Sequence, residues 1–159
     1  MLSLSKKVDY ALVSLAYLVE HRGRISSARA IAAAHSLPLP QLMNVLKVMH
    51  GRGILCSERG VKGGYQICTN LDDVSLYELI EAVDGEDDGT SAVARRLSNQ
   101  PPLRALQYKL MKFLKLVRVS DLVIPGRKID VPADLVAPGK CRCHEDHSVQ
   151  NEPKVAITI

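Results

Sequence analysis

The chain has 159 residues, room for one domain with an appendage. Apolar residues make up 47% but aromatics only 4%, with no Trp and a single Phe, so a mainly aliphatic core is expected. No apolar run reaches the roughly 18 residues of a membrane span, and MLSLSKKVDY lacks the basic-then-apolar pattern of a signal peptide.

Those features predict a cytoplasmic protein with no membrane partner, whose four cysteines stay reduced. The net charge of +4 is split into blocks. Residues 1–70 hold nine Lys/Arg against three acids, residues 71–94 hold eight acids and no base, and residues 95–118 hold seven bases and no acid. A basic first block is either a solvated face or the footprint of a nucleic-acid-binding module, in which cations neutralise phosphates.

Ser5 is placed to cap a first helix from Lys6 to about Glu20, with Val8, Leu12, Leu15, Ala16 and Val19 at helical spacing and Gly23 beyond its end. Ser26 or Ser27 caps a short helix, ARAIAAAH. HSLPLP is a turn, and Pro40 suits the first turn of a third helix, QLMNVLKVMHGR. Leu42, Val45, Leu46 and Met49 form its buried stripe, leaving Pro40, Met43, Asn44 and Lys47 opposite. ILCSE and YQICT read as strands around RGVKGG, a glycine-assisted hairpin. A fourth helix, SLYELIEAVDG, buries Leu76, Leu79, Ile80 and Val83. This order predicts a mainly α fold with a small β-hairpin wing, a winged helix-turn-helix, over residues 1–84.

Residues 85–100 turn from acidic to basic and read as a loop with a short helix. Pro101 and Pro102 open a long helix whose Leu103, Leu106, Leu110, Phe113, Leu114 and Val117 make a near-heptad stripe. Such a stripe suits a second copy of the chain, so residues 101–124 are expected to be a dimerisation helix and a short helix after it; packing back on its own domain is the competing reading. Residues 125–159, rich in Pro, Gly and charge, read as a flexible tail.

In a winged helix the third helix enters the major groove. The carboxamides of Gln41 and Asn44 match adenine edges, Met43 offers apolar contact, and Lys47 serves a phosphate or a guanine. Arg59 suits a narrow minor groove and Lys62 a phosphate. Gly60, Gly63 and Gly64 are expected to take positive φ and let the backbone approach phosphates, and Ser27 at the start of the second helix holds another phosphate. The bland reading, a solvated helix face, weakens because a basic hairpin follows at the right distance.

KKVDYALVSLAYL, LPLPQLMNVLKVMHGRGIL, SERGVKGGYQI and VSLYELIEAVDG together resemble the Rrf-two family of bacterial regulators (IscR/NsrR/CymR-like). The wing from Leu55 to Ile67 and the helix ending in AVDG carry the resemblance best, over about residues 1–84, with a looser likeness through LMKFLKLVRVSDLV. It implies a homodimeric regulator of transcription, usually a repressor, on a partly palindromic site in double-stranded DNA. It implies base readout near Gln41, Met43 and Asn44 and minor-groove insertion of Arg59. Met43 stands where the family has an acidic reader, which changes the expected base preference.

Cluster-binding members of the family carry three cysteines before the dimerisation helix, but DGEDDGTSAVARRLSNQPP has none, so the cofactor is not carried over. Cys56 and Cys68 read as small apolar core residues of the wing strands. Cys141, Cys143, His144 and His147 could together ligate a metal or an iron–sulfur cluster, although their spacing is poor for zinc; a redox-sensitive thiol pair and a plain tail are the other readings. Asp84–Asp88 reads as a solvated loop rather than a metal site, and no nucleophile–base arrangement points to an enzyme. Two further readings stay open: a regulator sensing metal, cluster or redox state through that Cys/His segment, and a winged-helix protein-interaction module without DNA binding.

Overall fold

The computed structural model describes residues 4–60, 63–84 and 101–130, with side chains described for 105, 106 and 108–130 of the last stretch. Its elements are α1 (Lys6–Glu20), α2 (Ala28–Ala34), α3 (Leu39–Gly51), β1 (Leu55–Glu58), β2 (Gly64–Ile67), α4 (Leu76–Asp84), α5 (Pro101–Leu116) and α6 (Val119–Val123). The predicted architecture holds: mainly helical, with one antiparallel hairpin. Lys62, the 85–100 segment, and Cys141, Cys143, His144 and His147 lie outside the described residues, as does the side chain of Leu103.

Local chemistry sets the helix ends. The Ser5 hydroxyl accepts from the Val8 N–H at 3.3 Å and donates to Asp84 at 2.6 Å, so the cap of α1 also ties it to the end of α4. Between α2 and α3, Ser36 takes φ of 52° and the Leu37 N–H reaches back to the Ala32 carbonyl at 2.9 Å, a Schellman-type closure that turns the chain toward α3.

The core is aliphatic, as composition requires. Leu42, Val45, Leu46 and Met49 of α3 are all buried, as their spacing predicts. Around α1 the buried face is wider than the sequence stripe. Ala11, Ser14 and Leu18 join Val8 and Leu15, while Leu12, Ala16 and Val19 are only half-buried. The cause is that α1 packs against α3, α4, α6 and β2 at once. Ser14 is tolerated there because its hydroxyl donates to the Tyr10 carbonyl at 2.6 Å. On α4, Ala82 is buried and Ile80 half-buried.

The end of α5 returns to this core. Val117 is 2% exposed, so it belongs to its own protomer's interior rather than to a stripe for a second copy. Val119 and Val123 of α6 belong to the main hydrophobic core cluster. The junction is stitched by backbone: the Leu76 N–H bonds the Val117 carbonyl at 2.8 Å and the Val119 N–H bonds the Val74 carbonyl at 2.9 Å. Lys115 lies 4.8 Å over the Tyr77 ring, adding a cation–π contact between α5 and α4. Beyond α6, within the stretch expected to be a loose tail, Arg127 pairs with Asp72 and donates to the Ser120 hydroxyl at 3.0 Å, anchoring the chain as far as that residue. The pair is solvent-exposed, so it fixes position more than it adds stability.

Ser75 and Glu78 start α4 with a reciprocal box. The Glu78 carboxylate accepts from the Ser75 N–H at 2.8 Å and from its hydroxyl at 2.8 Å, and the Ser75 hydroxyl accepts from the Glu78 N–H at 3.2 Å. The Ser75 N–H, then its hydroxyl, hold the Glu78 carboxyl below its ordinary value of 4.5. A depressed carboxylate stabilises the fold above that value and loses its contribution as pH falls through the lowered one. Ser75→Ala is therefore expected to cost about 1 kcal/mol. Glu78→Gln should lower the urea midpoint at neutral pH, with the gap to the parent chain closing as the pH is taken below 4.5.

Candidate nucleic-acid interface

The face of α3 turned away from the core is open. Pro40, Gln41, Met43, Asn44 and Lys47 are all exposed, while every member of the opposite stripe is buried. Because the stripe locks the helix's rotation, the outward side chains have a fixed bearing. Gln41 and Asn44 lie one turn apart, each offering a paired donor and acceptor; Met43, 39% exposed, adds an apolar surface on the side of Asn44 away from Gln41.

The hairpin stands beside this helix. Leu55 pairs with Ile67, Cys56 with Gln66, Ser57 with Tyr65 and Glu58 with Gly64. The wing is also held from its other edge. The Ser26 N–H bonds the Tyr65 carbonyl at 3.0 Å and the Tyr65 N–H bonds the Ser26 carbonyl at 2.8 Å, so the residue before the α2 cap acts as a third strand. A cleft of about 460 Å³ results, lined by Ser27, Lys47, His50, Arg59, Gly63 and Tyr65 among others.

The structure thus brings together Ser27, Lys47, Arg59 and Gly63 from four places in the sequence. Gln41, Met43 and Asn44 stand on the same open side of α3, nearer its N-terminus and outside the cleft. Ser27 caps α2, its oxygen accepting the Ala30 N–H at 3.2 Å, which leaves its O–H free to donate. Cations predominate at the cleft wall, where Lys47 and Arg59 outnumber Glu58. His50 and Tyr65 are additional lining residues that the sequence reading did not single out. His50 was accessible to it, since it falls three residues after Lys47 on the same helix face; Tyr65 was not, because its place depends on the Ser26 pairing.

Two expectations need correction. Of the wing glycines, only Gly60 has positive φ, at 124°. Gly63 and Gly64 are required by the protein's own backbone: a Cβ on Gly63 would meet the Glu58 carbonyl, and one on Gly64 the Ser26 carbonyl. Cys56 and Cys68 are not core residues. Both are exposed, on the face of the hairpin turned from the core, and their sulfur atoms are in disulfide contact. Period-two alternation explains it, because Leu55 and Ile67 occupy the inward positions.

A family model described as Rrf2, iron-dependent transcriptional regulator, matches residues 4–124. The chain belongs to the Rrf2 family. A candidate HTH-type transcriptional regulator of Aquifex aeolicus is 35% identical over 77 residues, covering 48% of this chain and 54% of that protein. The chain thus spans about half of that relative's length. One from Synechocystis is 30% identical over 111 residues, 64% of this chain and 74% of the relative. Among solved structures, CymR of B. subtilis superposes with a TM-score of 0.59 at 23% identity, covering 77% of this chain and 97% of that one. IscR of T. potens gives 0.59 at 22% identity over 77% and 86%. These Rrf2 likenesses establish the winged-helix fold, and the relatives are named as transcriptional regulators, not enzymes.

The iron in the family's description has no donor set among the described residues. Residues 85–100 contain no Cys. Among the described residues no group of three or more His, Cys, Asp or Glu could hold a metal. The chain does not fit the family's three-cysteine cluster site. No helix among the described residues is long and apolar enough to cross a membrane.

Proposed function

We propose that this Rrf2-family chain is a homodimeric repressor that binds a partly palindromic promoter site in double-stranded DNA. The observation that carries the reading is the open polar face of α3, rotationally locked by its buried stripe, beside a wing that carries Arg59. In this reading Gln41 and Asn44 read base edges in the major groove, Met43 contacts a thymine methyl, and Lys47 takes a phosphate or guanine. Arg59 enters the adjacent minor groove, and Ser27 and the Gly60–Gly63 tip, with Lys62, meet the backbone. No cofactor is needed for these contacts. The Cys141, Cys143, His144 and His147 set remains the place to seek a metal.

The deciding experiment selects bound fragments from genomic DNA, footprints them, and titrates salt. Several phosphate contacts should make the logarithm of affinity fall steeply and linearly with the logarithm of salt. Absent or salt-indifferent binding would instead favour a protein-interaction module.

Dimerisation is supported by α5. Leu106 is 60% exposed and Leu110 38%, neighbours on one face of the helix and an exposed apolar surface of the kind that marks an interaction site. Leu106→Glu/Leu110→Glu is expected to convert dimer to monomer in sedimentation velocity and to lower operator affinity by two orders of magnitude or so, because each half-site is then bound alone.

A further inference from the structure

We propose that Cys56 and Cys68 form a reversible thiol–disulfide modification site at the root of the wing, and that its state sets the wing's readiness to bind; this second part rests on the DNA-binding reading. Cys56 lies on β1 opposite Gln66, and Cys68 follows β2, its N–H bonding the Ile54 carbonyl at 3.1 Å. They are therefore diagonal neighbours on one face of the hairpin. Their Cα atoms are 5.5 Å apart, within the range a disulfide spans. Both are exposed, so a small reagent can reach them.

Cys68 also lines a cleft of about 270 Å³ together with Arg22, Arg24, Gln66 and Asn70. Two guanidinium groups at that cleft would draw an anionic low-molecular-weight disulfide to Cys68. The Cys68 thiolate attacks one sulfur of that disulfide and releases one small thiolate. The Cys56 thiolate then attacks the Cys68 sulfur of the mixed disulfide and expels the second. Two protein thiols are oxidised to one disulfide, one small disulfide is reduced to two thiols, and the two cysteine protons pass to them. Excess small thiol reverses the sequence.

The bond closes a loop with a sequence separation of 12 that contains Arg59 and the whole tip. Closed, the two strands are held together before DNA arrives. Reduced, the wing must order on binding, which costs affinity.

The test uses the full chain carrying Cys141→Ser/Cys143→Ser, so that only the wing pair remains, equilibrated with glutathione disulfide or with reduced glutathione. Peptides digested without reduction are read by mass spectrometry, and each form is titrated on a footprinted duplex. The expected result is a linked 56–68 peptide, affinity for duplex roughly five- to tenfold higher in the oxidised form, and a further Cys56→Ser/Cys68→Ser variant that binds like the reduced form in both buffers. Free thiols, or links between chains, in glutathione disulfide would overturn the site. A linked peptide with unchanged affinity would overturn the control of the wing. If the link forms and neither state binds any duplex, the DNA-binding reading fails, and the wing's control with it, while the modification site stands.

Discussion

Arg59→Ala is expected to weaken duplex binding by about 10- to 100-fold, corresponding to roughly 1–3 kcal/mol for one well-placed contact. Arg59 is exposed directly after β1, at the edge of the cleft that also holds Lys47. A guanidinium inserted into a narrow minor groove loses water and gains a concentrated negative potential. The variant should also reduce the salt slope by about 1, because one phosphate-neutralising cation is gone. The fold should be untouched, as the side chain has no place in the core. Fluorescence anisotropy at several salt concentrations measures both effects. Affinity within twofold of the parent, with an unchanged slope, would remove Arg59 from the interface. Lys47→Ala provides the contrast. If Lys47 meets only a phosphate, its loss should weaken all duplexes alike; if it reads a guanine, discrimination at one position should relax.

Gly64→Ala should be the most damaging single-methyl change on the wing. The added Cβ would run into the Ser26 carbonyl, with the Ser27 N 2.9 Å away, so backbone must move rather than a flexible side chain. That displacement breaks the paired hydrogen bonds between Ser26 and Tyr65, and with them the seam joining the wing to the start of α2. Overpacking against backbone with loss of two hydrogen bonds should cost about 3 kcal/mol, a fall of about 10 °C in thermal midpoint. Gly51→Ala is the control. Nothing lies within 4 Å of its Cβ position and its φ is not positive, so the substitution should be neutral or slightly stabilising. Calorimetry on the two variants separates close approach from a general dislike of side chains at glycine positions. Equal midpoints for the two would mean that the wing accommodates the methyl.

Much of this molecule could be read before folding was considered. The α3 stripe is legible because a single helix packed on one side shows its period directly, and Leu42, Val45, Leu46 and Met49 are all where spacing puts them. The open face that follows from it, Gln41, Met43, Asn44 and Lys47, is equally legible. The caps at Ser5 and Ser27 depend only on a hydroxyl and the N–H three residues on, so they too are local. Legibility ends where partners come from far along the chain. Ala11, Ser14 and Leu18 are buried because α1 is surrounded by α3, α4, α6 and β2, and no window around α1 contains those neighbours.

What the linear order of residues settled, then, is the winged-helix plan, the open face of α3 and the family to which the chain belongs, because helix period, capping and turn chemistry act over a few residues. The tertiary structure alone decided three things. It buried Val117, Val119 and Val123, and joined the end of α5 by backbone hydrogen bonds to the start of α4. It made Gly63 and Gly64 necessary through their own backbone neighbours rather than through φ. And it turned Cys56 and Cys68 from expected core residues into an exposed, facing pair. The physical reason is common to all three. Each depends on the register between segments brought together by burial of the shared aliphatic core, and register is a property of the packed chain, not of any stretch within it.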